Sequence, residues 1–257
     1  MLAFPVVLAC APVDNDDTTP QPTTDTTDTG DQVGNDIDVR RHPPVVVATS
    51  PPSGALGVDP GTTRLEVTFS ESMSLEGWAW VSVDSHFPDE GDASVVSYVD
   101  SDTNVLDGVV LSPDHGYMAW INSPYGMYTD FADLDGDAAV AYPLVFATGN
   151  DPALLADFPP AVVGSDPPAL AEDVDPGRTS LTFVFSKDMR DGFGALSEDR
   201  RQTWPEVGQV TFTDARTAEV EVTLEPSTTY AVWVEAFVDT DGNEVAPWLL
   251  AFRTADR

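Results

Sequence analysis

The residues best able to do chemistry in this chain are the carboxylates of two short turns. Asp133-Leu134-Asp135-Gly136-Asp137, with Asp130 just upstream, and Asp239-Thr240-Asp241-Gly242-Asn243-Glu244 each crowd oxygen donors into a few residues. Oxygen donors at that density suit a hard divalent cation such as calcium. The EF-hand spacing fails: with either glycine at the loop's central position, Phe131 or Phe237 falls where the first carboxylate is required. The simpler reading is a hairpin turn in which Asp-Gly supplies positive φ. Asp133, Asp135, Asp137, Asp241 and Asn243 are therefore candidates for calcium. A second placement is between the halves of the chain, at Asp151, Asp157 and Asp166.

Other chemistry is poorly supported. His42, His86 and His115 do not recur at matching positions, and there is no Gly-x-Ser-x-Gly elbow or His-Glu-x-x-His helix. No glycine-rich phosphate loop follows a strand. Paired carboxylates carry no information in so acidic a chain. The expectation is a non-enzyme with no catalytic residue and no cofactor other than calcium. Six tryptophans are read mainly as core. The segment Pro124-Tyr125-Gly126-Met127-Tyr128 adds two tyrosines beside the first acidic turn. If one surface takes a ligand, Tyr125 and Tyr128 are the candidates for it.

Charge narrows the partners. The formal net charge is −33, with Lys187 the one lysine. Such a field repels nucleic acid and anionic lipid surfaces. Charges farther apart than about 8 Å are screened at physiological salt, so only a local cluster could hold an ion. The one cysteine, Cys10, leaves no disulfide framework and no cysteine zinc site.

The beginning of the chain differs from the rest. Residues 1–10 are a short apolar run ending Val7-Leu8-Ala9-Cys10. It resembles the end of a bacterial lipoprotein signal peptide, which implies lipidation at Cys10 and a membrane contact through that anchor. No Lys or Arg precedes the run. Residues 11–44 are rich in Thr, Asp and Pro and are expected to be a disordered acidic tether.

The elements that must position any site come from a repeat. Pro51-Pro52, Val58-Asp59-Pro60-Gly61, Leu65-x-Val67-x-Phe69-Ser70-x-x-Met73 returns without a gap as Pro167-Pro168, Val174-Asp175-Pro176-Gly177, Leu181-x-Phe183-x-Phe185-Ser186-x-x-Met189. Leu111-x-Pro113-x-x-x-Tyr117 returns as Leu224-x-Pro226-x-x-x-Tyr230. Periodicity is that of strands: Val220, Val222 and Leu224 alternate with Glu219, Glu221 and Thr223. About seven short strands per copy predict an all-β chain of two tandem Ig-like Greek-key β-sandwiches. The expected limits are 45–149 and 161–257, joined by a linker over 150–160. Tyr117 and Tyr230 are read as tyrosine corners, and Met73 and Met189 as adaptable plugs at the sandwich edge.

These motifs, with Asp241-Gly242-Asn243 and the closing Phe146-Ala147-Thr148 and Phe252-Arg253-Thr254, resemble the bacterial Ig-like domain named after the S-layer protein SbsA. The resemblance runs over nearly everything after residue 44. The first copy departs from it by an insertion around 123–132 and by Asp135-Gly136-Asp137. What it implies is a spacer or adhesion element of a surface protein, here an outer-membrane or cell-surface lipoprotein. A glycan or another surface protein is the expected partner. The sequence sets no oligomeric state.

Overall fold

The computed structural model describes residues 7–9, 39–191, 194–198 and 205–257. The acidic segment 11–38, Cys10 and Trp204 lie outside the described residues.

All long elements are strands. The first module has one sheet of β2 (Val46–Ser50), β3 (Arg64–Phe69), β6 (Thr103–Val110) and β5 (Asp89–Tyr98), in that order. Its other sheet runs β4 (Ala79–Val81), β7 (Gly116–Ile121), β8 (Tyr142–Ala147), with Ala55 bridged in parallel to Phe146. The second module repeats this order. One sheet is β9 (Val162–Asp166), β11 (Ser180–Phe185), β14 (Thr217–Thr223), β13 (Glu206–Phe212). The other is β12 (Ala195–Glu198), β15 (Thr229–Glu235), β16 (Trp248–Thr254), β10 (Ala171–Val174). This is the ABED and CFG arrangement of an Ig-like sandwich. A further strand, β1 (Val7–Ala9), pairs antiparallel with β4 and puts Leu8 opposite Trp80.

Each recurring motif has a local physical job, and both copies do it with the same bonds. Asp59 Oδ1 accepts from Gly61 N–H at 2.8 Å, and Asp175 Oδ1 from Gly177 N–H at 2.8 Å. These bonds close the turn before the second strand of each module. Ser70 Oγ accepts from Val45 N–H at 3.1 Å and Ser186 Oγ from Ala161 N–H at 2.9 Å, which ties the end of that strand to the start of the module. Met73 and Met189 are buried at the turn that follows. Thr148 and Thr254 each donate Oγ–H to a carbonyl of the preceding loop, Ser112 O and Glu225 O, both at 2.7 Å.

The cores repeat as well. Phe69 stands 5.1 Å from Phe131, and Phe185 stands 5.0 Å from Phe237. Tyr117 lies 5.3 Å from Phe146 and Tyr230 lies 5.4 Å from Phe252. The tyrosine pairs are cross-strand neighbours within one sheet, whereas Phe69 and Phe185 reach from the other sheet to Phe131 and Phe237 after β7 and β15; such pairs add about 0.5–1.5 kcal/mol beyond the area they bury. In the first module Trp80, fully buried on β4, adds an edge contact to Phe131 and donates Nε1–H to Asn104. The second module has Leu196 at the matching place, and Phe212 meets Phe237 edge-on there as Tyr98 meets Phe131 in the first.

The modules begin earlier than the expected boundaries. Val39–Arg41 forms a 3-10 turn, and His42 is buried behind it, where a tether was expected up to residue 44. Within the expected linker 150–160, Pro152–Leu155 also forms a 3-10 turn. The reason is a repeat that extends upstream. His42-Pro43-Pro44 and Phe158-Pro159-Pro160 enter their modules alike, with Pro44 O accepting from Val140 N–H and Pro160 O from Ala246 N–H.

The tyrosine hydroxyls accept rather than donate. Tyr117 Oη takes Ser112 N–H at 2.6 Å, and Tyr230 Oη takes Glu225 N–H at 2.7 Å. Losing that acceptor leaves a half-buried N–H unpaired. Tyr230→Phe is expected to lower unfolding free energy by about 1–2 kcal/mol, and Tyr117→Phe by a similar amount. Urea titration measures it, and a change near zero for both would remove the corner from the account.

Candidate functional site

Three places on the molecule combine polar or apolar groups in ways that packing alone does not require. The first is the insertion. In the second module only Ala236 separates β15 from Phe237, whereas in the first the chain from Asn122 to Asp130 lies between β7 and Phe131. Asn122, fully buried with φ +57, closes the base of this loop. It donates Nδ2–H to Phe131 O and Ala139 O at 2.9 Å and accepts from Phe131 N–H at 3.0 Å. Ser123 N–H bonds Tyr128 O at 3.0 Å across the same neck. The pinched loop then pushes apolar side chains into water: Tyr125 is 75% exposed and Met127 64%. Tyr128, 41% exposed, is held at φ +60, a conformation uncommon for an aromatic residue. Leu134, on the neighbouring acidic turn, is exposed too.

The second is a hollow of about 340 Å³ lined by Pro43, Trp120, Pro124, Val140, Trp233 and Pro247. Trp120 on β7 and Trp233 on β15 occupy the same position of the repeat, three residues after the corner tyrosines. One hollow therefore takes a tryptophan from each module. Trp120 is 8% exposed and its Nε1–H has no hydrogen-bond partner, an uncommon state for a buried donor.

The third is the contact between modules. Trp248 Nε1–H crosses from β16 to Val46 O at 3.1 Å. A side chain at Gly54 would meet Ser186 O at 2.1 Å, so only glycine lets the two backbones approach. The turn Pro152–Leu155 packs back on the first module: a Cβ on Gly116 would strike Leu154 O at 2.2 Å. Phe158 meets His86 edge-on at 4.9 Å. From the other side, Lys187 donates Nζ–H to Phe158 O at 3.0 Å and to Asp239 Oδ2, and lies 3.3 Å from Asp241. The chain's one lysine thus pins the entry turn of the second module to its closing hairpin.

The calcium candidates take separate places. Asp133 is buried, and its Oδ1 accepts from Asp135 N–H at 2.9 Å and Asp137 N–H at 2.8 Å. Asp239 is buried, and its Oδ1 accepts from Gly242 N–H at 2.7 Å and Asn243 N–H at 2.8 Å. Both are hairpin turns in which the first aspartate caps the loop, with Gly136 at φ +89 and Gly242 at φ +103. Asp135, Asp137 and Asp241 are exposed, and Asn243 is half-buried. Among the described residues no three carboxylate, imidazole or thiol groups gather into a set that would hold a metal. Nor, among them, is any helix long and apolar enough to cross a membrane.

Sequence reasoning placed Tyr125 and Tyr128 on the exposed loop but missed Lys187 and the Trp120–Trp233 hollow. A signal for both was present. Lys187 is the one lysine and stands inside the Phe-Ser-x-x-Met motif, and the two tryptophans share a repeat position.

Burial alone would push the Asp239 carboxyl up, but bonds from Asn243 and Lys187 outweigh it and hold the group below its ordinary value. Its contribution to stability is present above the unfolded carboxyl value of about 3.9 and is lost as pH falls through the lower folded value. Wild-type urea midpoints should therefore fall below about pH 4, and Asp239→Asn should remove that component of the slope. Lys187→Met, which strands Asp239 without a cation, should cost about 3–5 kcal/mol at neutral pH. A cost below that of an ordinary surface change would show the pair to be idle.

Residues 40–148 match the family model described as a bacterial Ig-like domain. No curated protein matches the sequence. Among solved structures, the N-terminal part of the bacterial S-layer protein SbsC is similar at 22% identity and a TM-score of 0.30, over 40% of this chain and 25% of that one. The titin Ig tandem A164–A165 is similar at 10% identity and a TM-score of 0.26, over 79% of this chain and 91% of that one. A Bacteroides ovatus protein of a mixed-linkage glucan utilization locus, solved with a mixed-linkage heptasaccharide, is similar at 10% identity and a TM-score of 0.24. It is covered over 42% of its length, against 77% of this chain.

Proposed function

We propose that the chain is a non-enzymatic surface module: two copies of the bacterial Ig-like domain, exported and anchored by lipid at Cys10, holding one recognition loop at a fixed place. The observation that carries this reading is the pinched insertion. Asn122 uses three hydrogen bonds to hold the neck of a loop whose tip exposes Tyr125, Met127 and Tyr128 to water. Displaying large apolar side chains on a rigid neck costs stability and solubility unless something covers them. Aromatic residues on rigid loops are effective contact groups because they lose little conformational entropy on binding. The inter-module contacts through Trp248, Gly54 and Lys187 support a tandem with little hinge motion.

The anchor has a structural corollary. Processing before Cys10 would remove Val7–Ala9 and leave β4 as the edge of its sheet. The acidic segment 11–38 would then serve as the tether between that anchor and the modules.

A second reading, that the partner is a glycan, is favoured by the Trp120–Trp233 hollow. Indole faces stack on sugar rings, and the buried Trp120 Nε1–H is a donor awaiting an acceptor. Two measurements separate the readings. Tyr125→Ser/Tyr128→Ser should leave the melting curve within about 1 kcal/mol of wild type while abolishing binding to the surface of cells that carry the protein. Under the glycan reading, an oligosaccharide array gives a signal that Trp120→Phe removes. Loop variants that bind cells as well as wild type, with a silent array, would overturn both.

A further inference from the structure

Three loops of the first module meet at the end of the sandwich that carries the insertion. Met73 bridges antiparallel to Asp133, and Ser74 N–H bonds Ala132 O at 2.8 Å. The chain runs on through Leu75 and Glu76 to Gly77, where an added Cβ would stand 2.5 Å from Asp130 O. Tyr98 holds this stretch from behind by donating Oη–H to Gly77 O at 3.1 Å. Asn122 ties the insertion to the acidic hairpin through Phe131 O and Ala139 O. The segments 73–77, 122–130 and 132–138 are thus joined to one another at one end of the module.

Their exposed side chains are of two kinds. Leu75 is 55% exposed and Leu134 75%, and they add to Tyr125, Met127 and Tyr128. Among them stand the exposed carboxylates Glu76, Asp130 and Asp135. The three segments carry no Lys, Arg or His. The repeat shows that the sandwich does not require this surface. Where the first module has Leu75 and Leu134 the second has Asp191 and Thr240, and it has no insertion.

We propose that this end of the first module docks a protein segment that presents an apolar or aromatic side chain flanked by Lys or Arg. The proposal rests on the reading of the insertion as the recognition element and adds the chemistry of its partner. Exposed apolar area of this kind calls for a cover. A neutral or acidic cover would bury the neighbouring carboxylates unpaired, at a cost that offsets the apolar contact. Cationic groups turn the same carboxylates into an attraction that selects the partner and speeds its approach. The net charge of −33 opposes a second copy of this chain as the occupant.

The test uses the full chain and two short synthetic peptides that share one Leu/Trp face, one with Lys and the other with Glu on its polar face. In about 0.15 M salt the labelled Lys peptide should bind and the Glu peptide should not. Tyr125→Ser/Met127→Ser/Tyr128→Ser should weaken the Lys peptide by about tenfold or more. Glu76→Gln/Asp130→Asn/Asp135→Asn should weaken it as well, and more at about 0.05 M than at about 0.5 M salt. Glu206→Gln/Glu219→Gln/Glu221→Gln, which removes three exposed carboxylates from β13 and β14, should leave binding unchanged. Equal losses in the two carboxylate variants would mark adsorption to the acidic surface at large and overturn the site. A Lys peptide that does not bind, or a Glu peptide that binds as tightly, would overturn it too. Concentration-dependent sedimentation that the loop variant abolishes would make a second copy the occupant instead. Should Tyr125→Ser/Tyr128→Ser abolish binding to cells while the Lys peptide ignores the loop, the partner's chemistry falls and the reading of the loop stands.

Discussion

In a sandwich built without disulfides, the two ends of each module need something that locks the chain's entry to its exit. In the second module that lock is the ammonium of Lys187 set against the Asp239 carboxylate. It gathers the carbonyls of the entry turn, the cap of the last hairpin and the turn after β11 at one buried point. A buried ion pair of this kind is a poor source of net stability, because desolvating both charges offsets most of their attraction. Its value is geometric. Each partner is expensive to leave alone, so alternative arrangements of the turn and hairpin are penalised. The entry turn in question is also the one that packs on Gly116 of the first module. The angle between modules is therefore tied to the same pair.

The rest of the architecture follows from spacing. Alternating apolar residues in β3 and β11 fill one core face, and the corner tyrosines and closing threonines stitch the loop before β7 and β15 to the last strand. Edges are managed by charge and irregularity. The β5 edge carries Asp89, Glu90 and Asp92 and breaks register between Glu90 and Val95, and β13 breaks register between Val207 and Val210. Both devices discourage pairing with another chain. With a net charge of −33 they favour a protein that meets partners through its loops rather than its sheet edges.

Much of this was legible in residue order because each motif acts locally. Asp59-Pro60-Gly61 makes its turn with its own side chain, and Tyr117 reaches only five residues back. The boundaries were less legible. Val39 and His42 were grouped with the acidic stretch because composition, averaged over a window, hides two buried residues beside many charged ones. The candidate sites divide in the same way. Exposure of Tyr125 follows from an insertion that has no counterpart to pack against. The Lys187 cage joins residues 156, 158, 187, 239 and 243, and no local pattern announces such a set. The Trp120–Trp233 hollow depends on how one module sits on the other, which periodicity does not encode.

Duplication makes the two modules controls for each other, and the differences between them carry more information than the likenesses. Bonds found in both copies belong to the sandwich. A feature found in one copy needs a local reason. The insertion is one such feature, and it adds exposed apolar surface at the cost of a positive φ at Tyr128; the φ of +57 at Asn122 is shared by Ala236 in the second module. The exchange of Lys187 and Asn243 for Glu71 and Asp137 is the other. A lone loss of the lysine would leave one unpaired carboxylate, and relaxation of the turn would suffice to hydrate it. The first module has Glu71 and Asp137 at those two positions and Arg40 where the second has Ala156, while Asp133 stays capped and buried.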